Sequence, residues 1–298
     1  MTTRHTWDEL PDGAIQAVEE HTGRVVKSES TPGGRNSELS ETLWTDSGPV
    51  FCKGISTNSP IAYMHRNEIA VNPLLPNELA PRLLWHVETT GWLLLGYEHL
   101  SGRHADLSPA SDHLPLVADA LEMIGRVVIP PATTARRSMR DRWEQALTRE
   151  LESVSFAESD PWCANNADLL VTLANEAPSY MDGNTLIHSD LNPTNILVSE
   201  HAVVVDWAWW QVGVPWFDPA YLVIRLIAAG HTPLAAENWA RQFDGYAQAP
   251  PEAITAFAAS TVCMWERRFT HTAATEAARQ WARHRLAGHG GVDSLTDP

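Results

Sequence analysis

Polar and apolar residues alternate over short stretches in the first hundred positions, as in strands of a sheet with one buried face. The strands predicted from this pattern span residues 23–30, 38–45, 49–55, 81–88 and 91–98. Gly-, Asp- and Ser-containing segments between them predict turns. Apolar residues at helical spacing predict an amphipathic helix over 8–21, with Asp8 as its cap and Gly23 as its stop, and another over 61–75. The first part of the chain is therefore expected to be a small five-stranded antiparallel lobe.

The pattern changes to a helical period after residue 110. Helices are predicted near residues 112–128, 138–153, 164–180, 218–229, 234–247, 252–270 and 273–287. Strands followed by helices indicate an α+β fold. We therefore predict two lobes, a nucleotide-binding lobe over residues 1–98 and a helical lobe over 99–298 that carries the catalytic loop and the acceptor site.

Composition and charge narrow the function classes. The net charge of −16 argues against binding that depends on nucleic-acid phosphates. No apolar run is long enough to predict a signal peptide or a membrane span. The three cysteines have no disulfide or zinc spacing, which favours a reducing cytoplasm. The oligomeric state cannot be predicted from these features.

Lysine usage is unusual. Only two of the 21 lysine and arginine residues are lysines, Lys27 and Lys53. Lys53 lies inside the apolar strand V-F-C-K-G-I, where a compact point charge differs in effect from the broad guanidinium of arginine. The position is suggestive of chemistry, although a compositional accident would also explain it.

The strongest local signal is the segment L-I-H-S-D-L-N-P-T-N-I-L-V at residues 186–198. It contains His188, Asp190 and Asn195, and the strand A-V-V-V-D then ends at Asp206. Phosphoryl transfer needs a group that orients an attacking hydroxyl and accepts its proton, and it needs oxygen ligands for Mg²⁺. Taken singly, Asp190 and Asn195 also fit ordinary turns, and His188 also fits a core. Their combined spacing favours the chemical interpretation.

These residues resemble the catalytic loop of the protein-kinase superfamily, in particular its aminoglycoside phosphotransferase branch. That branch usually has a small residue where protein kinases have the arginine of H-R-D, and Ser189 occupies that position here. The resemblance implies a bilobal protein-kinase-like fold in which Asp190 is catalytic. It also implies that Asn195 and Asp206 hold Mg²⁺.

The first lobe carries a second part of the resemblance. Lys53 matches the strand lysine that contacts the nucleotide's phosphates, and Glu68, fifteen residues later on a predicted helix, matches its ion-pair partner. A solvated helix-face carboxylate remains the alternative for Glu68. ATP or GTP is the implied co-substrate.

Two further nucleotide contacts are expected, one in the first hairpin and one at the lobe connection. The hairpin T-P-G-G-R-N-S has no GxGxxG pattern, but it could offer backbone donors to phosphate. A plain flexible hairpin without this role is the alternative. The resemblance places the adenine edge against the backbone of residues 98–100. The candidates at the two places are Gly33, Gly34, Asn36, Ser37, Glu98, His99 and Leu100.

The function expected is phosphorylation of a hydroxyl on a small molecule, of the aminoglycoside type or another hydroxylated antibiotic, and a cationic acceptor is one option. Acidic residues of the helical part, such as Asp160 and Glu266, would suit an amine-rich acceptor, and tryptophans after Asp206 could stack on it. Core packing is the alternative for those tryptophans. Two other functions stay open: a metabolic kinase of a choline-, homoserine- or sugar-like alcohol, and a nucleotide-binding pseudokinase.

Overall fold

The computed structural model describes residues 3–31, 36–130, 137–152, 156, 160–268 and 272–287. Backbone contacts divide the chain into two compact units. The first contains Met1–Ala105 and Thr194–Trp210, and the second contains Asp106–Pro193 and Gln211–Pro298. The lobe boundary after residue 98 stays a prediction.

An antiparallel five-stranded sheet forms most of the first unit. Its strands are β1 (Val25–Ser30), β2 (Leu39–Thr45), β3 (Gly48–Ser56), β4 (Leu83–Thr89) and β5 (Trp92–Glu98), and their spatial order is β1-β2-β3-β5-β4. A two-residue turn joins β4 to β5, with positive φ at both Thr90 (49°) and Gly91 (82°), the backbone that tight hairpins require. The predicted sheet is confirmed.

Each face of this sheet packs against a helix. On one face, Leu39, Leu43 and Leu94 pack with Val18 of α1 (Asp12–Thr22). On the other face, Ile55, Leu93 and Leu95 pack with the start of α2 (Ala62–Val71). The expected helix over 8–21 begins only at Asp12, because Pro11, whose missing N–H suits a helix start, directly precedes it. Asp8 lies instead in a separate short 3-10 helix, Trp7–Glu9.

A smaller sheet completes the first unit. It consists of β6 (Arg103–His104), β8 (Ile196–Val198) and β9 (Ala202–Val204), in the order β6-β8-β9. The Val204 N–H donates to the Leu79 carbonyl at 2.7 Å, which ties β9 to the segment before β4. A short 3-10 helix, Trp207–Trp209, follows β9.

The second unit is mainly helical. Its helices are α3 (His113–Arg126), α4 (Met139–Leu151), α5 (Pro161–Asn165), α6 (Ala167–Glu176), α7 (Phe217–Ala228), α8 (Pro233–Ala240), α9 (Asp244–Ala247), α10 (Pro251–Arg268) and α11 (Ala273–Ala287). Two strands, β7 (Thr185–Ile187) and β10 (Gln211–Gly213), pair antiparallel. The helix expected over 164–180 is interrupted at Asn166, whose side-chain amide donates to the Trp162 carbonyl.

The core of the second unit is aromatic. Trp143, Trp216, Phe217 and Phe257 are buried, and the ring centroids of Phe217 and Phe257 lie 5.1 Å apart. Among the described helices, none is both long and apolar enough to cross a membrane. The three cysteines are buried and form no disulfide.

Candidate active site

Lys53 lies at the centre of a group of ionisable side chains in the first unit. Its Nζ is 2.8 and 3.0 Å from the two carboxylate oxygens of Glu68 on α2, and 2.9 Å from Oδ1 of Asp206. Tyr97 on β5 donates a hydrogen bond to Glu68 at 3.1 Å. We call Lys53, Glu68 and Asp206 the lysine cluster. The structure thus brings together three residues that the sequence places far apart.

Burial and charge oppose each other in the lysine cluster. Burial lowers the pKa of Lys53, but the carboxylates of Asp206 and Glu68 outweigh it and raise that pKa. Burial raises the pKa of Glu68, although Lys53 acts to lower it. One lysine faces two carboxylates, so the cluster has an excess of negative charge when all three are ionised. That excess suits a further cation beside Asp206.

Asn195 is held beside the segment that carries Asp206. The Val205 N–H donates to the Asn195 carbonyl at 2.9 Å, and the Asn195 side chain is buried. Asp206 itself has left-handed backbone, with φ 63° and ψ 58°, a conformation that is uncommon outside glycine and occurs often at functional sites. An amide oxygen and a carboxylate are ligands that fit Mg²⁺, which commonly takes one or two protein ligands and completes its shell with phosphates and water.

The described residues contain no group of three or more His, Cys, Asp or Glu side chains placed to hold a metal ion.

Asp190 lies in a loop of the second unit whose backbone is fixed by a buried carboxylate. The N–H groups of His188 and Ser189 donate to the two carboxylate oxygens of Asp218, at 2.8 and 3.0 Å. This arrangement holds Ser189 at φ 65°. The N–H of Asp190 then donates to Nδ1 of the fully buried His188 at 3.3 Å. His188 thus accepts a hydrogen bond inside the loop.

Asp218 was not identified as a site residue from the sequence. It lies in the first turn of α7 and is buried. Burial raises its pKa to about 7, although the hydrogen bonds from the backbone N–H groups of His188 and Ser189 act to lower it. The nearby carboxylate of Asp190 also raises it. The available signal was an aspartate within the apolar run W-F-D-P-A-Y-L, where an unpaired carboxylate would be costly unless it bound the backbone.

The phosphate-hairpin candidates divide into two groups. Gly33 and Gly34 lie outside the described residues. Asn36 is half-buried, and Ser37 is buried with its Oγ 3.2 Å from Nε2 of His65. His65 lies on α2 one turn before Glu68, and burial, with Lys53, lowers its pKa to about 3. A neutral histidine that the sequence analysis did not consider therefore connects the end of this hairpin to the helix of Glu68.

The three residues predicted to meet the nucleotide base lie at the end of β5. The Glu98 N–H already donates to the Arg82 carbonyl at 3.0 Å. For His99 and Leu100, no backbone N–H bond is present within the described part of the chain. These two donors can therefore serve a ligand without breaking an existing bond, whereas the donor of Glu98 cannot.

Most tryptophans after Asp206 are core residues. Trp207 and Trp210 are buried, and their indole N–H groups donate to the carbonyls of Val204 and Asn67 at 2.9 and 3.0 Å. Trp216 is buried among the aromatic rings of the second unit. Only Trp209 of the four is partly exposed. Packing thus explains three of the rings considered as stacking partners.

Two acidic residues considered for a cationic acceptor have arginine partners instead. Glu266 is buried and accepts from Arg279 at 2.9 Å. Asp160 caps α5 and forms an ion pair with Arg283. Each carboxylate stabilises the helical fold, so neither is available to recognise an amine-rich acceptor.

Comparison with known proteins identifies a family. Residues 55–252 match the model of the phosphotransferase enzyme family, APH. No curated protein matches the sequence.

Solved structures share the whole fold at low identity. A thermostable mutant of aminoglycoside phosphotransferase APH(4)-Ia, in complex with ADP and hygromycin B, superposes with a TM-score of 0.65 at 12% identity, over 94% of this chain and 100% of that one. The GDP complex of aminoglycoside 2'-phosphotransferase-IIIa gives 0.63 at 16%, over 93% and 98%. Choline kinase LicA from Streptococcus pneumoniae gives 0.62 at 14%, over 93% and 99%.

These likenesses confirm the predicted α+β, protein-kinase-like fold and the predicted enzyme class. At such low identities the solved structures show the fold alone. The family model, in contrast, matches more than half of the sequence and shows the family. The chain belongs to the phosphotransferase enzyme family.

Proposed function

We propose that this protein transfers the terminal phosphoryl group of ATP or GTP to a hydroxyl of a small molecule. The observation that carries the proposal is the contact of one buried lysine with both Glu68 and Asp206, at 2.8 and 2.9 Å. Fifteen and 153 residues separate these partners from Lys53 in the chain. A buried cation held between two carboxylates suits the binding of phosphate groups.

The first unit supplies the nucleotide side of the proposed reaction. Lys53, held in place by Glu68, contacts phosphate oxygens, and the backbone donors of His99 and Leu100 meet the base. Asn195 and Asp206 would hold Mg²⁺, which would supply positive charge to neutralise the triphosphate. Most of the rate enhancement then comes from positioning and electrostatics.

The second unit supplies the acceptor side. Asp190 orients the acceptor hydroxyl and takes its proton as the new oxygen–phosphorus bond forms. Asp218 and His188 hold the loop backbone in the geometry that this requires. All these chemical roles are proposals that rest on the residues' placement within each unit.

The acceptor proposed first is a hydroxylated antibiotic of the aminoglycoside type, which would give the host resistance. Two of the similar structures are aminoglycoside phosphotransferases. A small amino alcohol is the second candidate, because a choline kinase has a nearly equal structural similarity. ATP and GTP are abundant in the cytoplasm, where we expect the protein to act.

The test is ADP and GDP release with Mg²⁺ across aminoglycosides, other hydroxylated antibiotics and small alcohols. Asp190→Asn is the inactive variant, and Asp168→Asn, the same change at an exposed position of α6, is the matched control. We expect release that depends on one acceptor class and is lost only in Asp190→Asn. Nucleotide binding without release on any acceptor would instead support a pseudokinase, and an absence of nucleotide binding would refute the proposal.

A further inference from the structure

Arg225 is a cation of the second unit that the proposed reaction has not yet used. It lies on α7, one turn after Tyr221. Its guanidinium carbon is 4.9 Å from the centroid of the Tyr221 ring and 5.0 Å from that of Trp265. Contact with two rings holds the guanidinium in one position at little electrostatic cost.

Within the described residues, Arg225 has no carboxylate partner. Its Nε is buried without a hydrogen-bond acceptor, and its Nη2 donates to the hydroxyl of Tyr221 at 2.8 Å. Arginines in protein interiors are usually paired with carboxylates. The charge of Arg225 is therefore directed to a neutral hydroxyl.

Two carboxylates on the neighbouring helices pair with other arginines. On α8 and α11, Glu237 accepts from Arg285 at 3.3 Å. On α10 and α11, Glu266 accepts from Arg279. These pairs leave Arg225 as the cation that contacts the Tyr221 hydroxyl.

The Tyr221 hydroxyl connects this cation to the catalytic loop. It accepts from Arg225 and donates to Oδ1 of Asp190 at 3.4 Å. Burial raises the pKa of Tyr221 to about 12, with Asp190 acting in the same direction and Arg225 against it. The hydroxyl thus keeps its proton at physiological pH and stays a donor to Asp190. Hydrogen bonds of this kind are often long before substrate binds.

The loop needs such a cation. Asp190 lies close enough to the buried Asp218 to raise that residue's pKa, and two nearby carboxylates disfavour each other's ionisation. His188 accepts the Asp190 N–H through Nδ1, so this ring is not a second positive charge. Within the second unit, Arg225 is a cation that reaches Asp190 through the Tyr221 hydroxyl.

We propose that Arg225, acting through the hydroxyl of Tyr221, is a positioning residue that keeps Asp190 ionised and oriented toward the acceptor hydroxyl. The proposal rests on the proposed function, since it concerns the residue that takes the acceptor's proton. It adds two residues to the acceptor side that no sequence motif identified. A hydroxyl that accepts a hydrogen bond from a guanidinium donates a stronger hydrogen bond to a carboxylate than a hydroxyl without such a donor.

The experiment compares Tyr221→Phe, Arg225→Gln and Arg225→Lys with wild type, measuring kcat, nucleotide KM and the pH dependence of kcat. Tyr221→Phe is expected to lower kcat by about 10- to 100-fold, the range for loss of a hydrogen bond to a charged group. Its nucleotide KM should stay within about threefold, because the lysine cluster is unchanged. The acid limb of kcat should move up by about one pH unit, since the carboxylate loses a donor that favours its charged form.

Tyr246→Phe is the matched control, because the hydroxyl of Tyr246 is also buried but has no hydrogen-bond partner among the described residues. It should change neither kcat nor the pH profile. Arg225→Gln should reproduce the shift of Tyr221→Phe, and Arg225→Lys should restore part of it.

The outcomes separate this inference from the proposed function. A fall in kcat without any movement of the acid limb would mean that Tyr221 only supports the fold, and would overturn the inference. So would a Tyr221→Phe profile like that of Tyr246→Phe while Asp190→Asn is inactive, although the proposed function would then stand. A wild type that releases no diphosphate with any acceptor would overturn both.

Discussion

The lysine cluster and the loop of Asp190 are held in place by different forces. In the cluster, opposite charges of side chains meet directly, as in Lys53 with Glu68 at 2.8 Å. In the loop, backbone N–H groups of His188 and Ser189 converge on one buried carboxylate. A charge pair can be identified from residue types at a given spacing. A backbone held by a distant carboxylate leaves almost no local signal in the loop itself.

The comparison predicts that one change in the loop removes turnover and spares nucleotide binding. Asp190→Asn keeps the size of the side chain but cannot accept the hydroxyl proton, so kcat should fall by about 10³-fold, within the range for general-base removal. The nucleotide Kd should stay within about threefold, because the lysine cluster is unaltered. Single-turnover kinetics and nucleotide titration measure the two quantities. An equal loss of both would mean that Asp190 supports the nucleotide site and is not the base.

The lysine cluster should respond in stability as well as in activity. Lys53→Met leaves Glu68 buried without its cation, so the free energy of unfolding should fall by about 3 kcal/mol. The double variant Lys53→Met/Glu68→Met removes both charges and should recover at least half of that loss. Urea unfolding measures the recovery, and ADP release should stay abolished in both variants. A double variant no more stable than the single one would contradict a buried charge pair as the source of the loss.

The same contrast explains what the sequence could predict. Strands β1 to β5 are predictable because six to nine residues are enough to show a strand pattern. Lys53, Glu68, Asp190, Asn195 and Asp206 are predictable because they match known motifs. Strands β7 and β10 have three residues each, too few for a period of two to be recognised. Their position depends on tertiary pairing, so only the structure shows them.

The residues near the loop that the sequence did not predict all lie on α7. Asp218, Tyr221 and Arg225 follow Asp190 by about thirty residues and act through backbone or hydroxyl contacts. In the sequence, Asp218 is recognisable only as part of a helix start, and Tyr221 and Arg225 only as members of an apolar helix. Their role follows from the way α7 and the loop fold together, which periodicity does not encode.

Asp218 predicts a pH dependence of stability. The unfolded carboxyl titrates near pH 4, about the usual value, whereas burial raises its pKa in the folded protein to about 7. Between these values the folded protein holds a proton that the unfolded chain has released, so the free energy of unfolding falls as pH rises. The slope should approach about 1.4 kcal/mol per pH unit at most, with no further loss above pH 7.

Asp218→Asn is the control for this prediction, because it occupies the same space without titrating. The difference in unfolding free energy between wild type and this variant, measured at intervals from pH 4 to pH 8, should change in favour of the variant as pH rises. A difference that is constant over the range would mean that the two backbone N–H groups keep the carboxylate ionised throughout.

The smallest expected effects test whether the side chain or the backbone at the end of β5 recognises the nucleotide base. Glu98 and Arg82 form a surface pair at 3.4 Å, worth less than about 1 kcal/mol, so Glu98→Gln should change nucleotide KM by less than about twofold. Leu100→Pro removes a backbone N–H that has no partner within the described chain, and it should raise nucleotide KM by about 10-fold, the value of one hydrogen bond. Equal urea midpoints for both variants and wild type would show that the fold is intact. If Glu98→Gln raised KM as much as Leu100→Pro, recognition of the base would depend on the carboxylate, and backbone recognition at residues 99 and 100 would be wrong.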